Sequence, residues 1–280
     1  MCDLHDQEEL KKYKRRDFAV WAASAGMLAA LPAVANAVAV AERDVSIATA
    51  DGSCDAYFVA PTSGPAPGVL IWPDVFGLRP AFRQMARRLA ESGYSVLVVN
   101  PFYRQMKAPT AAQGGKTPIA EVMPLMQALT PAMHLSDGKS FVAWLDAQPE
   151  VDKKRKLGTT GYCMGGPIAV RTATVAPGRV GAVATFHGAA MVTPAPDSPH
   201  RLVAQTQARY LIAVAENDDK KDPEAKLALR AAFDGAKLQS EVEVYPAAHG
   251  WCPPDTQVYD AAQSERAWSR LLDTFGKALA

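Results

Sequence analysis

Residues 157–166, running Leu-Gly-Thr-Thr-Gly-Tyr-Cys-Met-Gly-Gly, read as a short strand that stops at a small-residue turn and passes into an apolar helix over 167–173. Cys163 stands at the corner, and Gly161-x-Cys163-x-Gly165 has the spacing of a nucleophile elbow with a thiol in place of a serine hydroxyl. Such a turn strains the nucleophile's backbone and brings strand and helix together, so small residues must flank it. The positive end of the following helix favours a thiolate first and an oxyanion later. The chemistry indicated is covalent attack on an acyl carbon. The competing reading is a buried structural cysteine beside a glycine-rich turn.

An elbow nucleophile needs a base, and the base needs an orienting carboxylate, in the chain order nucleophile, acid, base. The expected strand 210–215 ends in Glu216-Asn217-Asp218-Asp219, and the expected strand 241–245 ends in Pro246-Ala247-Ala248-His249-Gly250. The chain has only 5 histidines, so one in the last inter-element loop is a strong candidate base. Asp218 is the candidate acid, with Asp219 a live competitor and a turn or helix-capping role the alternative. His187 closes the strand after the elbow and is a candidate pocket residue or a structural histidine.

The elements that must position these groups follow an alternating rhythm. Val45–Ala48 and Asp55–Val59 read as an antiparallel pair around Asp51-Gly52, forming a sheet edge. Val69–Trp72 and Ser95–Val99 are apolar runs that fit strands buried on both faces, with an amphipathic helix over Pro80–Glu91 between them. Strand, helix and strand in that order make a right-handed crossover and a parallel sheet. Helices are expected over 119–129, 133–147, 223–236 and 261–279, a further strand over 181–186, and a Pro-bearing excursion over 189–208 that could lid a pocket. The Pro/Gly/Gln-rich stretch 100–118 leaves the carboxyl end of a strand, where open α/β sheets build ligand sites.

The 280 residues carry a formal charge of +1, with no basic excess pointing to nucleic acid and no acidic tail. Cys2, Cys54, Cys163 and Cys252 show neither paired-cysteine nor Cys/His ligand spacing, so no metal, cofactor or disulfide framework is expected. Residues 1–41 read as a leader ahead of a single domain over 42–280. Arg15-Arg16-Asp17-Phe18 precedes an uncharged Ala-rich run that closes on small residues at Ala35, Ala37 and Ala39, which resembles a twin-arginine export signal. The expectation is a periplasmic bacterial protein handled by the twin-arginine machinery, with no stable membrane span after cleavage. The alternative is an inner-membrane anchor left uncleaved.

The Gly-Tyr-Cys-Met-Gly-Gly elbow, the acid after a late strand and the His-Gly loop together resemble the dienelactone hydrolase family of α/β-hydrolases, over roughly residues 45–280. The resemblance implies an α/β-hydrolase fold: a mostly parallel central sheet with helices on both faces and an antiparallel N-terminal edge. It implies Cys163, Asp218 and His249 as the triad. Asp74, in Pro73-Asp74-Val75-Phe76-Gly77-Leu78, matches an acidic residue, usually Glu, that contacts the resting thiol; a plain turn former is the alternative. The amides of Val75 and Met164 fall where the family's oxyanion hole lies. Dienelactone-hydrolysing members grip the substrate carboxylate with two arginines. Arg104 is a candidate for the first, whereas the second falls near Pro253, in Trp251-Cys252-Pro253-Pro254, where there is none. Arg79 and Arg201 are other cations that could fold over the site, and Trp251 is a candidate substrate contact.

The implied activity is hydrolysis of a small ester or lactone, of the carboxymethylenebutenolidase kind, through a thioester, by a monomer or homodimer. A thioesterase or broad carboxylesterase would use the same machinery with a different pocket. A catalytically silent ligand-binding protein with a redox-active Cys163, paired with Cys252, is the rival outside enzymology.

Overall fold

The structure is a computed structural model that describes residues 29–280 apart from Gln113 and Gly115. The arginine pair of the expected leader lies outside the described residues. Eight strands form one sheet: β1 (Val40–Thr49), β2 (Gly52–Pro61), β3 (Gly68–Trp72), β4 (Ser95–Val99), β5 (Leu157–Tyr162), β6 (Val180–Phe186), β7 (Arg209–Ala215) and β8 (Ser240–Tyr245). Their spatial order is β1-β2-β4-β3-β5-β6-β7-β8. The pairs β1–β2 and β2–β4 are antiparallel, and every pair from β4 to β8 is parallel. This is the expected α/β-hydrolase architecture, with its antiparallel edge at the N-terminal side.

The two-residue side-chain period sends alternate strand residues to opposite faces. Phe58, Leu70, Trp72 and Leu97 enter one core, against α3 (Pro131–Ala147), α4 (Gly165–Val175) and α7 (Ala225–Gly235). Tyr57, Val59, Ile71 and Val96 enter the other, against α1 (Pro80–Glu91) and α8 (Ala261–Ala278). All five residues of β3 and of β4 are buried, which is why both lack polar alternation. Pro80 opens α1, whose apolar face of Phe82, Met85, Ala86 and Leu89 repeats at helical spacing. Thr130 caps α3 by accepting from the Met133 amide at 3.3 Å. Between β4 and α3 stands α2 (Ile119–Gln127), and α5 (Pro199–Leu202) with a 3₁₀ turn (Val203–Gln205) occupies the excursion after β6.

The helix expected over 223–236 is α7, and a short helix that was not expected, α6 (Glu216–Lys221), precedes it; the two are separated because Pro223 pushes Asp222 out of helical geometry to φ −141°, ψ 78°. Asp218 therefore sits in the first turn of a short helix. Ahead of the sheet the described chain lies along the body: β1 begins at Val40, Val38 donates to the Glu91 carbonyl at 3.0 Å, and Leu31 packs on the second core.

Candidate active site

Cys163 follows the last residue of β5 and takes φ +52°, a left-handed conformation that costs a side-chain-bearing residue energy. Backbone hydrogen bonds hold it there. Its amide donates to the Phe186 carbonyl and to His187 Nδ1, both at 3.1 Å, and its carbonyl accepts from Gly166 at 3.1 Å and Ala189 at 3.0 Å. The corner is tight enough to exclude side chains on both sides. A methyl on Gly161 would lie 2.0 Å from the Gly165 carbonyl oxygen, and one on Gly165 would lie 2.3 Å from that of Trp72. The expected helix over 167–173 is longer at both ends, beginning at Gly165 directly beyond the thiol.

The contact of Gly165 with Trp72 and Pro73 brings the segment after β3 against the elbow. Val75, Cys163 and Met164 share one buried cluster, and among the described residues neither the Val75 nor the Met164 amide donates a hydrogen bond. Two buried amides without acceptors are costly unless something else takes them up. They are the two that the resemblance puts at the oxyanion position.

Acid and base meet. Asp218 Oδ2 lies 2.6 Å from His249 Nδ1, and the Asn217 side-chain oxygen accepts from the His249 amide at 2.8 Å. Gly250, at φ +97°, turns the chain beyond the base. Asp219 points elsewhere and pairs with Lys226 Nζ at 2.7 Å, so of the two neighbouring acids Asp218 is the one bonded to His249.

His187 is the link between the halves of the site. Its Nδ1 accepts from the Cys163 amide, and its ring lies 4.9 Å from that of His249 and 5.0 Å from that of Trp251. Burial, reinforced by His249, holds its pKa well below that of a free imidazole. A neutral ring whose Nδ1 accepts must carry its proton on Nε2. Trp251 is fully buried behind it, stacked on Tyr245 at 5.3 Å. Its ring packs against those of both His187 and Tyr245.

Asp74 and Arg104 are placed differently from what the resemblance implies. Both Asp74 oxygens are taken by Arg79, at 2.6 and 3.0 Å, and one also accepts from the Phe76 amide at 2.9 Å. The far side of the same guanidinium is held by Asp255 at 2.7 and 2.9 Å. Arg104 is held by Asp51 at 2.6 Å and by both oxygens of Asp137 at 2.8 and 2.7 Å, which turns it toward the β1–β2 turn and α3. Cys252 is buried, forms no disulfide, and has its thiol pKa pushed up by burial, so the pairing with Cys163 considered from sequence is not formed.

Sequence reasoning missed the wall around the thiol. Phe102 and Val122 share the Cys163 cluster, with Phe76, Leu125 and Met126 packed on it. The signal was the apolar spacing of Ile119, Val122, Leu125 or Met126, and Leu129 on one face of α2.

A thiol on a strained elbow, an Asp–His pair and unsatisfied amides stand together on an eight-stranded sheet of the α/β-hydrolase kind. The chain matches the model of the Dienelactone hydrolase family over residues 54–279, and it belongs to that family. It is similar to the "Putative carboxymethylenebutenolidase" of Methylorubrum extorquens, at 29% identity over 238 residues covering 83% of this chain and 79% of that one. It is also similar to the "Carboxymethylenebutenolidase" of Rhodococcus opacus, at 24% identity over 223 residues covering 78% and 83% of the two chains. Among solved structures, the fold matches the "Putative Dienelactone Hydrolase" of Klebsiella pneumoniae with a TM-score of 0.75 at 24% identity, covering 85% of this chain and 99% of that one. The chain is a hydrolase that acts on ester or lactone bonds.

Proposed function

We propose that this hydrolase cleaves a small ester or lactone through a thioester on Cys163, with His249 as base and Asp218 as its orienting acid. The 2.6 Å bond between Asp218 and His249 Nδ1 carries the reading, because it fixes the proton on Nδ1 and leaves Nε2 as the basic nitrogen. His249 Nε2 takes the thiol proton as sulfur attacks the acyl carbon. The tetrahedral oxygen becomes negative and is met by the amides of Val75 and Met164. Collapse breaks the bond to the leaving alcohol, which receives the proton from His249. In the second half a water gives its proton to His249 and attacks the thioester, and the thiolate leaves and is reprotonated. Asp218 stabilises the imidazolium that forms in each half.

Purified protein and its Cys163→Ala variant, assayed with an activated ester, test the reading. Turnover should be lost in Cys163→Ala with the circular dichroism spectrum unchanged. Cys54→Ala should keep it, since Cys54 is buried and its thiol donates to the Asn100 carbonyl at 3.4 Å. Equal turnover in Cys163→Ala and parent would overturn the mechanism.

For residues 1–41 we propose a twin-arginine export signal and a periplasmic destination, supported by Arg15-Arg16-Asp17-Phe18 and the Ala-rich run. Among the described residues no helix is long and apolar enough to cross a membrane. Lysine at both Arg15 and Arg16 should strand the precursor in the cytoplasm although the charge is kept. Mature-size protein in the periplasm of that variant would refute the assignment.

A further inference from the structure

The wall around Cys163 is apolar. Val75, Phe102, Val122 and Met164 share its cluster, and Phe76 and Met126 pack against it. Two guanidinium groups stand on the segments that carry that wall, and each is fully engaged. Arg79 lies beneath Phe76, 5.5 Å from its ring, and is clamped between Asp74 and Asp255 with no exposed side-chain surface. Burial pulls its pKa down, but the two aspartates outweigh burial and the net shift is upward. Arg104, two residues beyond Phe102, is spent on Asp51 and Asp137. Each cluster sets two carboxylates against one guanidinium, so neither guanidinium has charge to spare for a substrate anion. The lysines of the same stretch, Lys107 and Lys116, are exposed.

Resting on the thioester reading, we infer that the acyl half of the substrate is uncharged and apolar, and that the site discriminates against an acyl group bearing a carboxylate. An anion placed against this wall loses its water and gains nothing from Arg79 or Arg104, both already spent on carboxylates. An alkyl chain there gains hydrophobic burial, about fourfold in affinity for each methylene at the usual transfer value. The wall built by α2 therefore sets acyl specificity, and the engagement of Arg79 and Arg104 leaves neither of them to hold a carboxylate.

The test uses the purified chain and two nitrophenyl esters of matched length, the valerate and the glutarate half-ester, which differ by a terminal carboxylate. The valerate should have at least tenfold higher kcat/KM, and Leu125→Arg, on the half-buried side of α2, should move the ratio at least tenfold toward the half-ester. Met126→Lys serves if Leu125→Arg does not fold. A parent that prefers the half-ester, or a ratio unmoved in whichever variant folds, overturns the inference. A second arm needs no turnover: iodoacetamide and iodoacetate alkylate Cys163, read by peptide mass. The neutral reagent should gain at least tenfold over the anionic one relative to free cysteine, and a faster reaction with iodoacetate overturns the inference. Full activity in Cys163→Ala would instead sink the nucleophile assignment and leave the alkylation result standing.

Discussion

Two aspartates lie in this site, and they are held in opposite ways. Asp74, after β3, gives both oxygens to Arg79 and is almost fully buried. Asp218, after β7, gives one oxygen to His249, and its side chain keeps 30% of its surface. A carboxylate whose two oxygens are both held by a buried guanidinium is spent on that ion pair, so it acts as a brace. A carboxylate bonded to an imidazole gains most when that ring becomes charged, which is the event catalysis creates. The first aspartate ties the Val75 segment, through Arg79, to the loop carrying Asp255 and to the Gly114 amide, which donates to Asp255 at 2.8 Å. In the proposed mechanism the second serves the reacting atoms through His249.

The largest expected effect separates Asp218 from everything else. Asp218→Asn should lower kcat by roughly 10⁴-fold, the scale seen when an orienting acid is neutralised, with little change in unfolding midpoint. Asp219→Asn should change kcat by no more than a few-fold, because its partner is Lys226. The reverse ranking in steady-state kinetics would mean that the neighbouring acid does the orienting.

The brace should show the opposite pattern. Arg79→Met leaves two buried carboxylates without their partner and should cost about 3–5 kcal/mol in urea unfolding, the scale of a broken buried pair. Adding Asp74→Asn and Asp255→Asn to it should restore much of that loss. If Arg79→Met folds with parental stability, the cluster is not a brace and the contrast between the two aspartates fails.

A smaller effect is in the pH dependence of stability. His134 is held down at about 3 by burial, with Arg171 and Arg104 adding to it, and His187 is held well below its ordinary value by burial and His249. For both, the folded pKa lies below the unfolded one. Above about pH 6.5 neither state binds the proton and neither histidine affects stability. As pH falls below that point the unfolded chain takes up protons that the folded one refuses, so stability drops by about 1.4 kcal/mol per pH unit per histidine. For His134 the loss levels off near pH 3. Urea midpoints between pH 7 and 5 should fall, and His187→Gln should flatten the slope by one proton. An unchanged slope would show that His187 takes up its proton in the folded state.

The residues that could be read from sequence are those whose role is local. Gly161, Cys163 and Gly165 form a tight turn within five residues, and apolar runs such as Val69–Trp72 mark buried strands without help from elsewhere. The choice between Asp218 and Asp219 was not legible, because it depends on α6: adjacent helical side chains point about 100° apart, so only one of them can face His249. Nor could Arg104 and Arg79 be recognised as spent. Their partners Asp51 and Asp255 lie 53 and 176 residues away in the chain, and the register that joins them is a property of the folded sheet and its loops. The wall around Cys163 was legible as a helix on α2 and not as a pocket, since a helical apolar stripe does not say what it covers.

The central claim is that sulfur carries the acyl group, and acid quenching during turnover of nitrophenyl valerate tests it directly. Digestion and peptide mass measurement should find one valeryl group on the peptide containing Cys163, released as the hydroxamate by hydroxylamine. A valeryl group on any other residue, or a stoichiometric burst of nitrophenol with Cys163 unmodified, would contradict the account.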